Sequence, residues 1–110
     1  MSDDEFQYTE LMRNASHATV GSIIAHQVLL DRPLRAVIWS AQHSDWVAAP
    51  ATAAALLYDD QNFERLRDVD RATAERTARE ALHAELPSVD ELNALADEGE
   101  RMGWDYGPPR

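Results

Sequence analysis

The chain has 110 residues, with twenty acidic residues against ten basic ones and a formal net charge of −10. That length suits one domain, or a small domain with an extension, and the charge argues against a non-specific nucleic-acid binder, which needs clustered positive charge. There is no Cys, so disulfide frameworks and thiol chemistry are excluded, and no apolar run approaches the roughly 20 residues that span a bilayer.

Every basic residue is Arg, which with the abundant Ala reads as compositional bias of the source. The opening "MSDDEF" is acidic, the reverse of a secretory signal, so a cytoplasmic protein is expected. Residues 1–60 carry eight acids and three Arg, and residues 61–110 carry twelve acids and seven Arg, so each segment is net −5. The first holds ten of the fourteen Val, Ile, Phe and Trp core formers. The expectation is a compact unit over 1–60 and a solvated, helical, acidic extension over 61–110.

In chain order, Phe6 and Tyr8 alternate as in a short strand. Thr9 is placed to cap a helix from Glu10 through "LMRNASHATVGSIIAH", although Thr19, Val20 and Gly21 weaken that helix. "QVLLD" and "RAVIWSA" read as two strands, the second with Val37, Trp39 and Ala41 on one face and Ile38 and Ser40 on the other. Arg32-Pro33 between them suits a turn. From Ser44, "SDWVAAPATAAALLYDD" reads as a helix that Pro50 breaks or restarts near Ala51. "NFERLRDVDRATAERTAREALHAEL" reads as a polar helix with i,i+4 pairs such as Arg71–Glu75. Ser88 and Glu91 form a capping box ahead of the stripe Val89, Leu92, Leu95 and Ala96, and Gly99 or Gly103 is placed to end that helix. Met102, Trp104 and Tyr106 follow as apolar residues of the tail.

Little here points to catalysis. His17, His26, His43 and His83 are scattered without metal-ligand spacing. "HSDW" places its His, Ser and Asp side by side, whereas a triad is a spatial arrangement. Asp59-Asp60 reads as a solvated junction, and no Gly-rich phosphate loop occurs. A non-catalytic binding protein without cofactor or metal is expected.

The order of the motifs "YTELMRN", "VLLDR", "AVIWS" and "SDW" resembles the Phd/YefM family of type II antitoxins. Thr9, Glu10, Leu11 and Asn14 match its first helix. Val28, Leu29 and Leu30 match a hairpin strand, Arg32 and Arg35 its basic turn, and Val37, Ile38 and Trp39 the second strand. Asp45 and Trp46 match the opening of the next helix. The resemblance implies an α+β fold with a β-α-β-β-α dimerisation unit, followed by a helical C-terminal extension. It implies a homodimer that represses its own operon by contacting operator DNA through Arg13, Asn14, Arg32 and Arg35. It also implies that the extension neutralises a cognate toxin, a ribonuclease or a Fic- or PIN-type protein, through Val89, Leu92, Leu95, Met102, Trp104 and Tyr106. The acidity of the chain complements a basic toxin. An alternative from another class is an acidic interaction protein of a mobile element, a nucleic-acid mimic or anti-defence inhibitor that does not bind DNA.

Overall fold

A computed structural model describes residues 6–12, 20–27, 34–41, 43–59 and 64–103. Five strands and three helices follow in the order β1 (Gln7–Met12), β2 (Val20–Gln27), β3 (Arg35–Ser40), β4 (Asp45–Ala48), α1 (Pro50–Leu57), β5 (Leu66–Val69), α2 (Arg71–Ala81) and α3 (Val89–Met102). The strands form one antiparallel sheet in the order β4-β3-β2-β1-β5. Four consecutive strands thus make a meander. The chain then passes from the β4 edge, through α1, to a new edge beside β1.

The register aligns two rows of residues across all five strands. Val69, Tyr8, Ala25, Val37 and Ala48 form one row, and Asp68, Thr9, Ile24, Ile38 and Val47 the next. Successive residues of a strand point to opposite faces, so these rows lie on opposite sides of the sheet. On the first face, Phe6, Tyr8, Ile23, Ala25, Val37 and Trp46 pack with Ala74 and Ala78 of α2, Leu86, and Leu92 and Ala96 of α3. On the second, Ile24, Ala36, Ile38 and Val47 pack with Ala49 and Ala53 of α1. The core therefore draws on residues from both sides of position 60.

The mixed α and β character agrees with expectation, but the β-α-β-β-α order does not. The stretch expected as a helix from Glu10 contains the paired strands β1 and β2. Burial explains the misreading. Ile23 and Ile24 are both buried, each under a different cover, so the strand lacks the alternation of a half-exposed sheet. The stretch from Ser44 also begins as a strand. Ser44 is therefore not a helix cap and Asp45 not a first-turn acid; Asp45 opens the strand, and its Oδ1 accepts the Trp46 backbone N–H at 2.8 Å. Pro50 restarts the chain as expected, standing in the first turn of α1, where its missing N–H costs nothing.

The long polar helix is divided as well. β5 takes Leu66–Val69, and Asp70 caps α2 by accepting from the Thr73 N–H at 2.8 Å. The expected Arg71–Glu75 pair is present at 3.9 Å. The β3 strand and its two faces match expectation, as does the Ser88–Glu91 capping box. Of the two glycines offered as helix ends, Gly103 ends α3 in a left-handed conformation, with φ of 71°. Gly99 instead lies buried against β4, where an added Cβ would overlap the Cβ of Ala48. Its missing side chain sets how closely α3 approaches the sheet.

Candidate functional site

α3 is held to the sheet by an arginine. Arg35 begins β3 opposite Gln27 of β2 and is 5% exposed. Its Nε donates to Gln27 Oε1 at 2.9 Å. Nη1 donates to Asp97 Oδ1 at 2.9 Å and to Glu100 Oε1 at 2.7 Å. Nη2 donates to Asn93 Oδ1 at 3.2 Å and approaches the Asn93 carbonyl at 3.4 Å. Burial works against its charge, but the bonds and fields of Asp97 and Glu100 outweigh it and raise the Arg35 pKa further above its ordinary range. Of the residues expected at operator DNA, Arg35 is thus engaged inside the fold. Arg13, Asn14 and Arg32 lie outside the described residues.

The expected toxin-binding residues are separated by the fold. Leu92 is fully buried in the core, Val89 and Met102 are exposed, and Leu95 is half-buried against the core cluster. Trp104 and Tyr106 lie outside the described residues. An apolar stripe on an amphipathic helix has an inner and an outer margin. Here the inner margin, Leu92 and Ala96, is occupied by the protein's own sheet.

Beside the outer margin runs an open groove of about 480 Å³, lined by Asp45, Trp46, Glu85, Leu86, Pro87, Glu91, Ala94, Leu95 and Glu98. Three pieces of chain build it: the start of β4, the connection between α2 and α3, and one flank of α3. Glu91, Ala94, Leu95 and Glu98 share that flank at i, i+3, i+4 and i+7 spacing. Trp46, Leu86 and Pro87 are buried and supply apolar wall, while Asp45, Glu85, Glu91 and Glu98 are exposed. No basic residue among the described residues lines it. Trp46 also packs edge-on against Trp39 at 5.5 Å between ring centroids, and its buried Nε1 has no hydrogen-bond partner among the described residues. The arrangement offers an apolar slot with a negative rim, suited to a cation carried on an aliphatic stem.

Two further polar clusters lie away from the groove. Glu10 is fully buried on β1; it accepts from Arg67 and, at 2.6 Å, from the Thr77 hydroxyl. Thr9 donates to Asp68 at 2.8 Å and contacts His26 Nε2 at 3.0 Å. Burial lowers the His26 pKa, with the negative charge of Asp68 opposing that shift. A neutral ring donating from Nε2 satisfies Thr9, whose own proton goes to Asp68. Thr9 is 1% exposed, so its hydroxyl is closed to any substrate.

Among the described residues, no group of three or more His, Cys, Asp or Glu is placed to hold a metal ion, and no helix is long and apolar enough to cross a membrane. No family model matches the sequence, and no curated protein or solved structure matches it either.

Sequence reasoning missed the groove because its walls are remote in the chain. Asp45 and Trp46 reach Glu85–Glu98 only through the docking of α3 on β4. The legible signal was the mixed stripe Glu91-Ala94-Leu95-Glu98, apolar and acidic at once, which differs from the all-apolar inner stripe beside it.

Proposed function

We propose that this protein is an inhibitor that acts by binding, without catalysis: an antitoxin-like neutraliser of a basic protein in the cytoplasm. One observation carries the reading. The outward surface of α3 and the connection before it present Glu85, Asp90, Glu91, Asp97, Glu98 and Glu100 to solvent, on a chain of net charge −10. Only Asp97 and Glu100 among these are drawn inward, by Arg35. Such a surface steers and orients a positively charged partner. A toxin whose active groove binds RNA fits that description, so a ribonuclease, PIN-type included, is favoured over a Fic-type partner. Neutralisation of this kind needs neither the operator contacts nor the dimer that the Phd/YefM resemblance implies, and the commitment of Arg35 to α3 speaks against its role as a phosphate contact.

The test is co-expression with the protein encoded by the neighbouring open reading frame. Wild type restores growth, and the exposed charge-reversal variant Asp90→Arg/Glu91→Arg/Glu98→Arg does not. Protection by the variant equal to wild type, with its fold intact by circular dichroism, would end this reading. A nucleic-acid mimic would use the same carboxylates; it is told apart by inhibiting a DNA-processing enzyme in competition with short duplex DNA.

A further inference from the structure

The groove beside α3 has more specific chemistry than the acidic surface around it. Its floor and walls combine buried Trp46, Leu86 and Pro87 with half-buried Leu95, and its rim carries Asp45, Glu85, Glu91 and Glu98. Two of these acids have structural duties. Asp45 Oδ1 accepts from the Trp46 N–H, and Glu91 Oε1 accepts from the Ser88 N–H in the capping box at 3.2 Å. Glu85 and Glu98 make no hydrogen bond or ion pair among the described residues. Each acid thus keeps at least one oxygen for a partner, and among the described residues no cation of the groove's lining neutralises them.

The geometry points to this groove as the seat for an arginine side chain presented on an extended peptide segment of a basic partner protein. The choice rests on two matches. The apolar floor suits the methylene stem of arginine, which loses little by leaving water. The rim carboxylates suit a planar guanidinium, which pairs with several oxygens at once and is more weakly hydrated than an ammonium. A free polyamine also carries methylene stems, but its charges are compact, strongly hydrated ammoniums that pair less fully with several carboxylates.

This inference rests on the reading of the protein as a binder of basic partners, but its test uses no toxin. Full-length protein labelled with ¹⁵N is titrated with the blocked peptide Ac-Leu-Arg-Leu-NH₂, then with its citrulline and lysine counterparts. Citrulline keeps the shape of arginine and removes its charge. The arginine peptide is expected to shift the Trp46 indole signal and the amides of Glu85, Leu95 and Glu98. The citrulline peptide should bind at least tenfold more weakly, and the lysine peptide between the two. The triple variant Glu85→Gln/Glu91→Gln/Glu98→Gln retains the capping geometry through glutamine and should lose the response. Equal binding of the citrulline peptide, shifts centred elsewhere, or no shift at millimolar peptide would each overturn the proposal. If co-expression fails while the peptide binds as described, the groove stands and the antitoxin reading falls. If growth is restored while the peptide does not bind, the opposite holds.

Discussion

Two ion clusters fix the later part of the chain to the sheet, and they are mirror images. At one, a buried cation meets exposed anions: Arg35 is 5% exposed, while Asp97 and Glu100 are 69% and 50% exposed. At the other, a buried anion meets an exposed cation: Glu10 is wholly buried and Arg67 is 49% exposed. In both, the buried charge sits on a strand of the first half and its partners arrive from beyond residue 60. The difference lies in redundancy. Arg35 has two carboxylates, whereas Glu10 has one arginine and a threonine hydroxyl. A buried charge is costly chiefly when its partner is removed. The exposed partners therefore matter more than their exposure suggests, and most where a single one serves.

The largest effect should come from the singly served site. Arg67→Ala leaves the buried Glu10 carboxyl with only Thr77 among the described residues, and should cost about 3 kcal/mol. Glu10→Gln removes the buried charge itself and keeps an acceptor for Thr77, so it should cost about 1 kcal/mol. Urea unfolding of both variants measures the order. A smaller loss in Arg67→Ala than in Glu10→Gln would remove the asymmetry on which the comparison rests.

The redundant site should behave differently. Asp97→Asn or Glu100→Gln alone leaves one carboxylate on Arg35, and each should cost under about 1 kcal/mol, as exposed pairs usually do. The double variant leaves the guanidinium with neutral oxygens from Gln27 and Asn93, and should cost about 2 kcal/mol, more than the sum of the single changes. Hydrogen exchange reads the same event locally, through faster exchange of α3 amides in the double variant. Strict additivity would show that the two carboxylates act independently.

This pairing logic also marks where the sequence was legible. Local signals held: the Ser88–Glu91 capping box, Pro50 as a helix start and the two faces of β3 each depend on neighbours a few residues away. The start of β1 was legible in the alternation of Phe6 and Tyr8, but its later residues and β2 were obscured because both sheet faces are covered, which erases the alternation that distinguishes strand from helix. β5 was obscured because a four-residue edge strand reading Leu-Arg-Asp-Val takes its structure from pairing with β1 rather than from its own pattern. Arg35 was legible as an unusual basic residue near a turn, yet its partners Asp97 and Glu100 lie over 60 residues away. Nothing local distinguishes an arginine aimed at phosphate from one aimed at a helix of its own chain.

The smallest effect concerns the buried histidine beside Thr9. His26 is buried on the Thr9–Asp68 side of the sheet, and burial lowers its pKa against the pull of Asp68. In the unfolded chain the same ring takes up a proton near its ordinary pKa of 6.5. Below that pH the unfolded state holds more protons than the folded state, so stability rises with pH through this window. The contribution is complete above pH 6.5 and is lost as pH falls from there toward the folded-state pKa. Urea midpoints taken between pH 7.5 and 5 should therefore decline on acidification, and His26→Gln should flatten that part of the curve. A decline of the same size in His26→Gln would place the titrating group elsewhere and leave the Thr9–His26–Asp68 chain a static element of packing.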